Sequence, residues 1–245
     1  MTYCVGMRLN TGLIFMSDTR TNAGVDNIST VKKMHTWDVP GERVIVAMTA
    51  GNLATTQSVI SLLDERANAS EENDSSILQA PSMFQIARQV GRTLREVISD
   101  STETGQQASS AFGATLIVGG QIKGEKPRLF LIYSEGNFIE ASDDAPFFQI
   151  GEAKYGKPIL VRAHDPKMSF EDSVKLLMVS FDSTIKSNLS VGLPLDYVTY
   201  ETDSLEIGRA ARIEQDDPYY QNVSSGWGEA LNVAFAQLPP FQFED

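Results

Sequence analysis

The run Thr2-Tyr3-Cys4-Val5-Gly6-Met7-Arg8-Leu9, then Asn10-Thr11-Gly12, then Leu13-Ile14-Phe15-Met16-Ser17-Asp18, reads as two extended segments joined by turn chemistry. Its apolar positions do not settle on one face. Tyr3, Val5, Met7 and Leu9 fill one side, while Cys4, Ile14 and Met16 are expected on the other. A sheet covered on both faces shows that pattern, so layers are needed above and below it.

Working outward, Val31–His35 and Arg43–Thr49 read as further strands. Helical spacing follows: Leu53, Val59, Ile60 and Leu63 line one face of 52–69. A polar stretch then leads to Pro81, suited to a first helical turn, and Met83, Phe84, Ala87, Val90, Leu94, Val97 and Ile98 make a second stripe over 81–100. The run Ser101–Ser110 is loop-like. Strands return at 114–118, 128–134 and 137–141. Ser169 opens a third helix, 169–187, with Asp172 three residues on; strands at 197–201 and 207–213 precede an aromatic, acidic tail. Strict βαβ alternation is absent, which argues against a doubly wound parallel sheet. Two stacked sheets between helical layers are expected, in one domain spanning 1–245 with a C-terminal extension from about 214.

The chain has 245 residues, 42% of them hydrophobic, and a net charge of −12. Its longest basic run is Lys32-Lys33, so a nucleic-acid partner is not expected. The single cysteine, Cys4, excludes an intrachain disulfide, and a reducing compartment is the simpler assumption. His35 and His164 have no companions at ligand spacing, so no metal or other cofactor is expected. With no signal-like start and no stretch of membrane-spanning length, the chain reads as soluble and cytoplasmic. Gly151-Glu152-Ala153-Lys154-Tyr155-Gly156-Lys157-Pro158 imitates a phosphate-binding loop, but Pro158 stands where a hydroxyl would hold magnesium.

Chemistry concentrates near the start. Met-Thr opens many chains, yet a threonine whose own α-amine is free carries its base with it. That amine titrates at ~7.7–8.0, near working pH. If Asn10–Gly12 forms a three-residue loop, Leu9 pairs with Leu13, Thr2 falls opposite Arg20, and Asp18 is a diagonal neighbour on the same face. A two-residue loop at Asn10-Thr11 puts Asp18 on the other face. A lysine held by Asp18 near Thr2 would lower the pKa of the hydroxyl. Lys33 and Lys32 both qualify, and strand alternation lets only one of them face the site.

Several segments together carry a family pattern: Thr2-Tyr3-Cys4-Val5-Gly6, Gly12 through Arg20, Lys32-Lys33-Met34 and Thr49-Ala50-Gly51-Asn52, then Tyr133 through Phe138 and Phe147 through Gly151. In these the chain resembles the proteasome β-subunits, and Thr2–Gly6 with Thr21–Asn27 look closest to the bacterial ancestral β-subunit group, Anbu. The resemblance implies a four-layer αββα sandwich of the N-terminal-nucleophile hydrolases. By it, Thr2 matches the nucleophile, Asp18 and Lys33 its activating pair, and Gly51 the oxyanion-binding amide. Ser190 matches a supporting serine and Arg20 a structural partner. Val31, Thr49 and Leu53 would line the pocket for the residue before the cut, and Asn22 with Gly51 would pair with an extended substrate.

Two departures stand out. Gly151-Glu152-Ala153 replaces a Gly-Ser-Gly, and Ser187-Asn188-Leu189-Ser190 replaces an Asp-x-x-Ser, which weakens the expected support of the amine. No propeptide precedes Thr2, so removal of Met1 would suffice for maturation. The expected activity is threonine-type cleavage of peptide bonds inside a large homo-oligomer, a ring or ring-like spiral; no ATP-driven partner is implied by the sequence. A small-amide hydrolase and a catalytically idle assembly subunit are the alternatives.

Overall fold

The computed structural model describes residues 2–22, 28–69, 75–103 and 109–243. Its centre is two five-stranded antiparallel sheets. The first contains β1 (Tyr3–Leu9), β2 (Gly12–Asp18), β10 (Phe147–Gly151), β11 (Leu195–Glu201) and β12 (Ala210–Ile213), in the order β10-β1-β2-β11-β12. The second runs in chain order: β5 (Met34–Val39), β6 (Arg43–Gly51), β7 (Ala114–Ile122), β8 (Arg128–Ile132) and β9 (Phe138–Glu140). A short ribbon, β3 (Arg20–Asn22) with β4 (Ile28–Thr30), links them.

Helices close both outer faces. Over the second sheet lie α1 (Leu53–Ala67) and α2 (Met83–Glu103), whose Val59, Leu63, Val90 and Leu94 pack on Ile45, Leu116 and Phe130. Over the first lie α3 (Lys157–Ala163), α4 (Phe170–Ser187) and the start of α5 (Pro218–Ala236). Phe15, Val46, Met48, Ile117, Phe148 and Tyr200 fill the space between the sheets. The architecture is the four-layer αββα sandwich, and each buried Phe or Ile in it contributes roughly 1.5–3 kcal/mol.

Local chemistry sets the helix starts. Asn52 and Ser169 cap α1 and α4, accepting the amides of Thr55 and Asp172 at 3.1 and 3.0 Å. Asp217 caps α5 ahead of Pro218, accepting the Tyr220 amide at 2.9 Å. The aromatic tail is thus helical to Ala236. Its outer half is bare: Leu231, Val233, Phe235 and Leu238 are exposed, as are Phe241 and Phe243 beyond the helix. Lys157-Pro158, the last residues of the false phosphate loop, open α3. Among the described residues no helix is long and apolar enough to cross a membrane.

Two expectations need correction. Leu9 pairs with Gly12, so the hairpin loop is the two-residue Asn10-Thr11, and Met7 and Val5 face Ile14 and Met16 across the pair. Ile14 and Met16 therefore sit under α4 with Tyr3, Val5 and Met7, while Cys4, Leu13 and Phe15 point between the sheets. Both faces stay apolar, which is why the inferred layers stand although the register behind them did not. Val31–Lys33, expected in a strand, precedes β5, which begins at Met34. Of Thr21–Asn27, only Thr21 and Asn22 lie among the described residues, and the Asn22 side chain lies outside them.

Candidate active site

Asp18 ends β2, opposite Tyr3. In this register strand alternation would turn its side chain away from Thr2. The carboxylate instead lies back along the strand edge, where Oδ1 accepts the Tyr3 amide at 2.9 Å in place of a ladder carbonyl. The same oxygen accepts Lys33 Nζ at 2.7 Å, and Nζ also donates to the Arg20 carbonyl at 2.6 Å. Both side chains are almost wholly buried. Burial pushes the Asp18 carboxyl above its ordinary range, against the pull of the Lys33 ammonium and the Tyr3 amide. The lysine is thus fixed from two sides and cannot swing away.

Thr2 is half-buried beside this pair. Its carbonyl accepts the Glu152 amide at 2.6 Å, and Gly151 presses against it. That glycine has φ +81°, and a Cβ there would fall 2.0 Å from the Thr2 oxygen. Only a glycine permits this approach. Glu152 is 8% exposed: Oε1 accepts the Lys154 amide at 2.9 Å and Oε2 accepts Asn188 Nδ2 at 3.0 Å. Asn188 Oδ1 in turn accepts the Ser190 amide at 3.0 Å. Glu152, one departure from the family pattern, thus bonds to Asn188, the neighbour of the other (Ser187), and this link connects the Ser190 turn to the backbone of Thr2.

Gly51 ends β6 on the same cavity, exposed, with φ +116°. A side chain there would collide with the Gly113 carbonyl, 2.5 Å from an added Cβ. Asn52 donates to that carbonyl, while Thr49 donates to the Lys33 carbonyl on the other edge. By ladder alternation the Gly51 amide points to the Lys33 edge, beyond the first residue of β5. It is an aligned donor at the cavity mouth.

Thr2, Lys33 and Gly51 line one open cavity of about 430 Å3. Val31, Thr49 and Leu53 line it too, as expected from the sequence, and Thr21 supplies part of the wall. Asp18 stands behind Lys33. Sequence reasoning missed His35, Thr56, Gln57, Ile60 and Ser61, which complete the lining. Helix α1 delivers the last four at helical spacing; the 56/60 and 57/61 pairs on one face were the available signal. It also misjudged Lys32, which shares the cavity with Lys33 because strict alternation does not govern the segment before β5. Burial, then the nearby Lys32 charge, lowers His35 to about 4. Cys4 is fully buried behind Thr49, with burial raising its thiol far above the ordinary value, so it does not compete as a nucleophile.

Residues 2–193 match the family model described as proteasome subunit. No curated protein matches the chain. Among solved structures, a Gly-1 mutant of Anbu from Hyphomicrobium sp. strain MC1 is 50% identical, covering 99% of this chain and 100% of its own, with a TM-score of 0.93. Anbu (ancestral beta-subunit) from Yersinia bercovieri is 48% identical over 98% and 100%, with a TM-score of 0.91. The helical assembly of the Anbu complex from Pseudomonas aeruginosa is 44% identical over 98% of each chain, with a TM-score of 0.90.

Proposed function

The chain belongs to the proteasome-subunit family, in its ancestral β-subunit group, and on that premise we propose that it is a threonine peptidase acting through Thr2 once Met1 is removed. The observation that carries the reading is the buried Asp18–Lys33 pair held behind the cavity that Thr2 lines.

The α-amine of Thr2 takes the hydroxyl proton as Oγ1 attacks a peptide carbonyl. Lys33, charged and fixed by Asp18, favours the alkoxide as it forms. The Gly51 amide stabilises the oxyanion of the tetrahedral intermediate. Collapse breaks the C–N bond, the leaving amine collects the proton, and a threonyl ester remains; water, deprotonated by the Thr2 α-amine, attacks that ester, and the proton passes to Oγ1 as the acid is released. Ser190 acts at one remove, through Asn188 and Glu152. An extended substrate would run past β3, with Asn22 and Gly51 offering backbone partners. The cavity's open mouth and volume suit a side chain on a longer peptide better than an isolated small amide.

Self-assembly completes the proposal. Exposed Leu231, Val233, Phe235 and Phe241 form an apolar end that a neighbouring copy would cover, and a helical assembly is the form recorded for the Pseudomonas relative. Active sites would then face a shared interior, in the cytoplasm.

The test is covalent labelling with a threonine-directed electrophile, read by mass spectrometry. Modification at Thr2 of the trimmed chain, lost in Thr2→Ala and in chain retaining Met1, is expected. Equal reaction of the Met1-bearing form would exclude the amine as base.

A further inference from the structure

The cavity in front of Thr2 carries an uncompensated charge that hydrolysis itself does not use. Among the described residues its charged lining residues are Lys32 and Lys33, and no carboxylate lines it. Lys33 is committed to Asp18 and the Arg20 carbonyl. Lys32 is exposed at the rim, and among the described residues its ammonium has no ion pair or hydrogen bond. It also borders a second cavity of about 350 Å3 that contains Asp196, but Arg212 already holds that carboxylate at 2.7 and 2.9 Å.

The wall below Lys32 is mixed rather than apolar. His35, Thr49, Thr56, Gln57 and Ser61 present polar groups between Leu53 and Ile60. At neutral pH His35 is uncharged, so it offers a hydrogen bond without a third cation beside Lys32 and Lys33. On a chain of net charge −12, a free ammonium at a cleft mouth is a local reversal of the field. A carboxylate entering the cleft gains that ammonium and loses little solvent, since the rim stays wet. A lysine or arginine side chain meets repulsion, and a leucine leaves the polar wall without partners.

We propose that Lys32 selects peptides bearing aspartate or glutamate on the acyl side of the cut bond. The inference rests on the Thr2 reading for the position of that bond and names the substrate class the site takes.

The test is binding, so that it does not depend on turnover. Fluorescein-labelled tetrapeptide amides, identical except for a final Glu, Gln, Leu or Lys, are titrated against the Thr2→Ala assembly by anisotropy. The Glu peptide is expected to bind about tenfold tighter than its Gln isostere, the scale of one charge-assisted hydrogen bond. Lys32→Ala should bring the two level, and Lys32→Glu should favour the Lys peptide. Tighter binding of Leu than Glu, a Glu-to-Gln ratio that survives Lys32→Ala, or no binding by any peptide at millimolar concentration each overturns the proposal. Failure of the peptidase reading would appear elsewhere, as trimmed native chain that electrophiles do not modify at Thr2.

Discussion

Asn188 Nδ2 donates to Glu152 Oε2 at 3.0 Å, tying the end of α4 to the loop after β10 in which Glu152 also donates its amide to Thr2. The residue standing where the family has a serine thus holds the neighbour of Ser187, which stands where the family has an aspartate. Glu152→Ala and Asn188→Ala should each slow labelling of Thr2 by about 10- to 100-fold, the cost of a loosened nucleophile. The double variant should be little worse than either, because both remove the same link. Labelling rates of the four proteins check it; simple additivity would mean the two act independently.

Gly51→Ala should lose stability by about 1–3 kcal/mol, since alanine resists φ +116° and its Cβ would crowd the Gly113 carbonyl. Chemical denaturation gives the number. Gly41, with φ +74° and nothing near an added Cβ, is the control; alanine there should cost less.

Lys33→Ala breaks a buried pair and should cost about 3–5 kcal/mol near neutral pH, whereas exposed Lys32→Ala should stay within about 0.5 kcal/mol. The pH dependence has a definite sign. Asp18 holds its proton more tightly folded than unfolded, so its contribution is greatest below the ordinary carboxylate value and is lost as pH rises through the raised folded one. Without the ammonium that rise is larger. The deficit of Lys33→Ala should therefore be smaller at pH 4 than at pH 8, as read from urea midpoints.

His35 works the other way. Its folded value is depressed to about 4 from 6.5. The unfolded chain takes up a proton first, and stability is lost as pH falls from about 6.5 through about 4. The full loss is about 3 kcal/mol. His35→Gln should flatten the stability profile in that window, a comparison that melting curves at pH 7 and 4.5 will make.

Replacing Leu231, Val233 and Phe235 together by serine should shift sedimentation from large species to small ones. Protomer unfolding should barely move, because these side chains are exposed in the isolated chain. An unchanged sedimentation profile would mean that assembly uses another surface.

The layers were legible because apolar residues on both faces of residues 2–18 demand cover whatever the register, and because Asn52 and Ser169 are strong caps. The register was not: Asn10-Thr11-Gly12 supports both loop lengths, and only Leu9 facing Gly12 decides between them. Asp18 meets Lys33 for a reason no face rule contains, a carboxylate substituting for a ladder acceptor at a strand end. Lys32 was misjudged because alternation was applied to residues that are not in a strand. Helix α5 was hidden by Gly226 and Gly228, poor helix formers in the middle of the segment. The Glu152–Asn188 contact was not legible, since no local pattern says that two residues 36 apart will meet.

The bond that fixes Thr2 leaves from its carbonyl, and the glycine it rests against touches it on the same side. Among the described residues, these two contacts hold its backbone on the carbonyl side of its Cα. With Met1 as the residue removed, the cut alters the nitrogen from amide to amine and asks nothing of the surrounding backbone. On the Thr2 reading, precursor and product would share one cradle, and arming would turn a non-basic amide nitrogen into a basic amine. On the same reading, arming would need no refolding around Thr2, and its timing would be set by removal of Met1.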